Sequence, residues 1–154
     1  MSLPKSTLLA DKTNVAVLSA LSEHPRITTS ALARIVRMSA PAVRERVQRL
    51  EDSGLLREWR INLDPALLGY PVAVIVRIKP MPGKLTAIID LARGTPRVIE
   101  CLRITGEDCF LLRAHLESID MLDGLLDPFL SHGQTTTSII QSTPVPLRSL
   151  PLGQ

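Results

Sequence analysis

Between Tyr70 and Ser142 the chain passes through six segments whose hydrophobic period alternates between two and about 3.6, and that order constrains the fold more than any other feature. YPVAVIVRIK is dense in β-branched residues and reads as a strand. GKLTAIIDLARG places Leu85, Ile88, Ile89 and Ala92 at helical spacing and ends on Gly94. RVIECLRIT and CFLLRAHL read as strands around the turn GED, which sets Ile104 near Cys109 and pairs Cys101 further along. SIDMLDGLLDPFLSHG reads as a helix capped by Ser118, with Met121, Leu122, Leu125 and Leu126 on one side. QTTTSIIQS closes the series as a strand. The order β-α-β-β-α-β is the split βαβ, ferredoxin-like arrangement, with one four-stranded antiparallel sheet and both helices on one face. The bare face then needs a cover, which self-association would supply. The tail TPVPLRSLPLGQ is proline-rich and reads as extended.

The chain before Leu56 follows helical spacing. DKTNVAVLSALSEHP offers Asp11 or Thr13 as N-cap, turns Val17, Leu18 and Leu21 inward, and stops at His24-Pro25. ITTSALARIV is a second, short helix capped by Thr28 or Thr29, with Leu32, Ile35 and Val36 as its inner stripe. After the break RMS, Ser39 caps a third helix. Pro41 falls in its first turn, where a missing N–H costs nothing. Val43, Val47 and Leu50 make its inner stripe, and Gly54 fits the stop. LLREWRINLD then alternates and reads as a strand or β-hairpin wing, with Trp59 packed at the domain junction. Turn residues in DPALLGYP mark the boundary, giving domains over 1–62 and 63–154.

Two helices joined by a turn of three or four residues form a helix-turn-helix. In SAPAVRERVQRL the residues left outside the inner stripe are Ala40, Pro41, Ala42, Arg44, Glu45, Arg46, Gln48 and Arg49. The small tip lets backbone approach bases, and a helix N-terminus favours phosphate. Arg44, Arg46 and Arg49 suit phosphates or guanine edges, and Gln48 suits adenine. Glu45 either accepts from cytosine or pairs with Arg49, four residues on. Thr28, Thr29 and Ser39, at the starts of the two helices, complete the expected DNA-facing set. The net charge is +3. Residues 1–63 carry ten Lys or Arg against six Asp or Glu, and the remainder carries eight against nine. The basic excess therefore sits where the helices are, which favours a polyanionic partner there.

A second stretch, RITGEDCF, puts Thr105, Gly106, Glu107 and Asp108 in one turn between strands. Exposed N–H groups there suit an amino acid carboxylate, and Asp108 suits its ammonium. Thr135 and Thr137 on the last strand offer hydroxyls to the same ligand. The same residues also serve as a plain hairpin turn.

Other chemistries find no foothold. At 45% hydrophobic and 21% charged residues the chain is of ordinary globular composition. No apolar run reaches the roughly 18 residues of a membrane span, and the N-terminus does not read as a signal peptide, so a cytoplasmic protein without membrane partners is expected. Cys101 and Cys109 lack CxxC spacing and are expected to be reduced. His24, His115 and His132 show no ligand spacing. No Ser-His-Asp set and no Gly-rich phosphate loop appears. No metal, cofactor or catalytic residue is expected.

LADKTNVAVLSAL, the whole run from Arg26 through Tyr70, VIECLRITGEDCFLLR, TTTSII and the terminal LPL together resemble the Lrp/AsnC (leucine-responsive/asparagine-operon) regulator family, in the family's order and over nearly the whole chain. The resemblance implies an α+β protein, an N-terminal winged helix-turn-helix followed by a ferredoxin-like βαββαβ (RAM-type) domain. It implies a non-enzymatic transcription regulator that binds double-stranded DNA. It further implies an amino acid effector bound near the Thr105–Asp108 turn at a subunit interface, and homodimers that build tetramers or octamers. Two alternatives stand beside it. Sirohaem decarboxylases resemble the same architecture, but need histidine and arginine in the joining segment, which here has arginines and no histidine. A ligand-sensing module without DNA binding is the other. The chain departs from the family at Arg37, where Gly is common between the helices, at Asn14, where Asp is common, and in GQTTTS, where a basic residue often precedes the threonines.

Overall fold

A computed structural model describes residues 5–152 and resolves the chain into two compact units. The first comprises the described residues up to Ile61 together with those from Leu147 onward; the second spans Asn62–Pro146. The tail thus belongs with the helices and not, as the 63–154 division has it, with the second domain. Ser22 Oγ donates to Ser149 Oγ at 3.1 Å, and Leu152 packs against the helical core. Local sequence gave no sign of this, because Leu147, Leu150 and Leu152, spaced among prolines, follow neither a helical nor a strand period.

Four helices build the first unit: α1 Lys5–Ala10, α2 Lys12–Glu23, α3 Thr29–Val36 and α4 Ala40–Asp52. Helix α1 is additional to the three read from the sequence. Asp11 caps α2 by accepting from Thr13 N at 2.8 Å, and Thr28 and Ser39 cap α3 and α4 by accepting from Ala31 N and Ala42 N. Pro41 lies in the first turn of α4, and Gly54, at φ 71°, follows its C-cap. Val17, Leu18, Leu21, Leu32, Val43 and Leu50 form the core. A fully buried Val or Leu of this kind contributes about 1.5–3 kcal/mol. Ile35 is not among them: it is 55% exposed, and Ala33 is buried instead. In so short a helix either phase satisfies the apolar spacing, and packing on α2 selects Leu32, Ala33 and Val36. Arg37 closes α3 in the left-handed conformation, φ 54° and ψ 47°, which costs about 1 kcal/mol relative to glycine.

The expected wing strand is absent among the described residues. Residues 57–64 are extended or irregular and pair with no strand of the sheet β2-β3-β1-β4. Trp59 belongs to the helical unit, where its indole N–H bonds Glu51 Oε1.

The second unit holds β1 Val72–Pro80, α5 Leu85–Gly94, β2 Val98–Arg103, β3 Phe110–Leu116, α6 Leu122–Leu130 and β4 Gly133–Ile139. All pairings are antiparallel in the order β2-β3-β1-β4, the expected ferredoxin-like sheet. Val74, Val76 and Ile78 of β1 alternate inward and meet Ile88 and Ala92 of α5 and Leu125 and Phe129 of α6, so both helices cover one face. Ile104 N–H bonds Cys109 O at 2.9 Å and Cys101 faces Leu112, as the hairpin spacing predicts. Ser118 does not cap α6. It opens a 3₁₀ turn, Ile119–Met121, without a side-chain bond, and Met121 is left 48% exposed. Gly133 is obligatory at the start of β4: a Cβ there would sit 2.6 Å from Lys79 O.

Candidate nucleic-acid interface and effector turn

Helix α4 stands on the apolar side of Val43 and Leu50, which turns Pro41, Arg44, Glu45, Gln48 and Arg49 to the exposed side. Its N-terminal tip is Ala40-Pro41-Ala42, with no side chain long enough to hold a partner's backbone away. Thr28 and Ser39 each spend an acceptor lone pair on a cap, which leaves the hydroxyl hydrogen available to a phosphate oxygen. Thr29, Arg44 and Gln48 come together along the rim of a crevice of about 210 Å³ whose floor includes Leu32 and Val43. Trp59 forms another part of that rim, and its indole N–H bonds Glu51 on α4.

The three arginines assigned to DNA from sequence take different roles. Arg44 is exposed and forms no ion pair among the described residues. Arg49 reaches Glu45 Oε1 at 2.8 Å, so of the two roles open to Glu45 it takes the intrahelical one here. Gln48 similarly reaches Asp52 Oδ1 at 2.9 Å. These exposed pairs are worth roughly 0.3–0.5 kcal/mol and open readily to a stronger partner. Arg46 departs from expectation. It is turned into the unit, where its guanidinium bonds Asp11 Oδ2 and Asn14 Oδ1, the latter at 2.7 Å. At about 100° per residue, position 46 falls on the flank of the buried stripe, facing α2. That hydrogen bond, with the N–H groups of Thr13 and Asn14 aiding and burial opposing, holds the Asp11 carboxyl below its ordinary range.

In the second unit the residues Thr105–Asp108 form the tip between β2 and β3. Gly106 adopts φ 113°, which only glycine takes without strain. Asp108 Oδ2 lies 3.7 Å from Arg77 and Glu107 Oε2 lies 3.4 Å from Lys79. At 3.7 Å the first contact is Coulombic without a good hydrogen bond, so both groups retain capacity for a ligand. Thr135 and Thr137 do not join this cluster. They sit opposite Ile78 and Val76, whose side chains are buried under the helices, whereas Arg77 faces the other way opposite Thr136. Strand alternation makes Thr136 the threonine on the face of Arg77. TTT contains no apolar residue to fix that parity, so sequence pattern alone had no means of choosing. Arg77, Lys79 and Thr136 are the residues that sequence reasoning missed at this turn. Asp11, Asn14 and Glu51 are those missed in the helical unit.

Among the described residues no His, Cys, Asp and Glu group is arranged to hold a metal ion, and no helix is long and apolar enough to cross a membrane.

Comparison with known proteins matches a winged helix-turn-helix DNA-binding model over residues 11–57 and the Lrp/AsnC ligand binding domain over residues 73–150. The HTH-type transcriptional regulator YezC of Bacillus subtilis, itself uncharacterized, is 31% identical over 133 residues, 86% of this chain and 94% of that protein. LrpC of the same organism is 26% identical over 86% of this chain and 92% of its own, and its solved structure superposes with a TM-score of 0.81, covering 86% of this chain and 95% of that one. A Neisseria meningitidis transcriptional regulator solved in complex with L-methionine superposes with a TM-score of 0.85 at 27% identity, covering 92% of this chain and 96% of that one. With both halves of the architecture matched in order, the chain belongs to the Lrp/AsnC family of helix-turn-helix transcriptional regulators.

Proposed function

We propose that this protein is a DNA-binding regulator whose affinity or assembly answers to a free amino acid. In a homodimer, the tip of α4 and the exposed Arg44, with Gln48 and Arg49 released from their intrahelical pairs, enter the major groove in two successive half-sites. Thr28, Thr29 and Ser39 hold flanking phosphates. The second sheet face, which carries no helix, provides the surface on which copies associate, up to tetramers or octamers.

The observation that carries the effector reading is the pairing of opposite charges around Gly106. Arg77 and Lys79 offer cations and Glu107 and Asp108 offer carboxylates at one turn, both at loose distances. A zwitterion exchanges one such pair for two shorter, charge-assisted hydrogen bonds. The L-methionine bound by the similar Neisseria regulator supports an amino acid of this class. Effector binding then shifts the equilibrium between assemblies by its differential affinity for them.

A thermal-shift series with the twenty amino acids, methionine first, tests this. A ligand present at 100 times its Kd adds about 2.7 kcal/mol of stability. The absence of a shift with every one of them would sink the amino acid reading. A duplex binding curve that does not weaken with salt would sink the DNA reading independently.

A further inference from the structure

We infer that Arg46 is a positioning residue: it locks helix α4 to the start of α2 through Asp11 and Asn14, and does not itself bind phosphate. The inference deepens the DNA-binding reading and rests on it.

Asn14 is the one buried polar residue among the described residues, 5% exposed, and both ends of its amide are engaged. Its Nδ2 donates to Leu8 O at 2.9 Å, and its Oδ1 accepts from Arg46 at 2.7 Å. The amide orientation is therefore fixed by two partners of opposite type. Asp11 is used as fully. One oxygen accepts from the N–H of Thr13, and the other takes the same guanidinium nitrogen as Asn14. The end of α1, the cap of α2 and the middle of α4 are joined at this one guanidinium. Arg46 is 24% exposed at its side chain, whereas Arg49, one turn along, is 62% exposed.

The remaining attachments of α4 to its unit are mainly apolar, through Val43, Val47 and Leu50. Apolar burial is strong but non-directional, and tolerates small rotations about the helix axis. Hydrogen bonds are directional, and base reading needs side chains held within about 0.5 Å. The clamp supplies that restraint on the side of α4 away from Arg44. Moving the guanidinium out to a phosphate would strand the buried Asn14 oxygen without a donor, a cost that surface arginines do not meet. Asp11 also neutralises the Arg46 charge locally, so the pair adds little to the field that meets the duplex.

The test uses the full-length chain and a mixed-sequence duplex of about 40 base pairs, with affinity followed by fluorescence anisotropy over about 50–200 mM salt. Arg44→Ala, a contact variant, lowers the magnitude of the log-affinity against log-salt slope by about 0.9. Arg46→Ala and Asp11→Asn each weaken binding roughly tenfold and leave the slope unchanged, the scale of one charge-assisted hydrogen bond. The Asp11→Asn result is the discriminating one. Asparagine still caps α2, and removing a negative charge from a DNA-binding unit on electrostatic grounds alone tightens binding. Weaker binding therefore reports positioning. The double variant loses little more than either single one, because both break the same clamp. Arg46→Lys, which keeps the charge but ends one bond short of the Nη1 position that serves both Asp11 and Asn14, behaves as Arg46→Ala does and secures the result where the alanine variant fails to fold.

A slope lowered by Arg46→Ala as much as by Arg44→Ala overturns the inference, and so does tighter binding by Asp11→Asn. In both cases the unmodified chain still binds the duplex. If the unmodified chain shows no salt-dependent binding, the DNA reading itself falls and takes the inference with it.

Discussion

Trp59 Nε1 donates to Glu51 Oε1 across 2.8 Å, so the segment that follows the helices is tied to α4 by a side chain on the helix itself. Trp59 is the only tryptophan of the chain, and its ring also borders the crevice beside Arg44 and Gln48. Intrinsic fluorescence therefore reports on the flank of the candidate reading helix. Glu51→Ala should release the indole, shift its emission to the red and raise its quenching by acrylamide. Because the pair is exposed, stability should fall by only about 1 kcal/mol or less. Unchanged emission in that variant would show that the bond is not held in solution.

Two glycines of the second unit should respond to alanine with opposite signs. At Gly133 the added Cβ meets Lys79 O at 2.6 Å and Pro80 Cα at 3.0 Å, both backbone atoms of the paired strand. Gly133→Ala must push β4 away from β1 and should cost about 1–3 kcal/mol in urea unfolding. Gly124 lies inside α6 with nothing within 4 Å of its Cβ position. Gly124→Ala should therefore gain about 0.5–1 kcal/mol from helix propensity. Equal effects at the two sites would contradict the close approach of β4 to the end of β1.

Acid should loosen the helical unit through Asp11. The hydrogen bond from Arg46 depresses its carboxyl in the folded state, so folding favours the deprotonated form. Its contribution is fully present above the unfolded pKa and is lost as pH falls through the folded one, that is, below the ordinary aspartate value of 3.8. Unfolding free energy should thus decline more steeply with acid in the unmodified chain than in Asp11→Asn, with the two curves converging at the lowest pH. Parallel curves throughout would mean that the Asp11–Arg46 pair is not formed.

The threonines of β4 offer a test of which sheet face meets the effector. Thr137 Oγ1 is buried without a hydrogen-bond partner, on the helix side. Thr137→Val should remove an unsatisfied polar atom, raise stability by about 1 kcal/mol and leave any amino acid response intact. Thr136→Val, on the face of Arg77, should leave stability within about 0.5 kcal/mol and weaken the amino acid response. Reversed effects in the thermal-shift series would restore Thr135 and Thr137 as ligand residues.

The local rules of the chain were enough to determine three helices of the first unit and the strand and helix order of the second. Thr28 and Ser39 announce helix starts because a short side chain with an acceptor can reach an orphan N–H within its own turn. Gly54 ends α4 because only glycine enters the left-handed region at little cost, and the density of β-branched residues in YPVAVIVRIK declares a strand. The ferredoxin-like order followed from those periods, and Gly106 and its two acidic neighbours were legible as a turn. Tertiary structure decided whatever depended on a partner distant in sequence. The helical period puts Arg46 nearer the inner stripe of α4 than Arg49, but only the arrival of Asp11 and Asn14 beside it makes it a clamp while Arg49 stays on the surface. Thr136 and Thr137 look equivalent along β4, and only register with β1 assigns one to each face. Residues 57–64 alternate as a strand should, yet a strand exists only where a second edge accepts its hydrogen bonds. The tail, too, joined the helices through Leu152 and Ser149, contacts made across more than a hundred residues of chain. Period and capping are properties of neighbours in sequence, and so are written there. Facing, pairing and ionic partnership depend on which surfaces folding brings together.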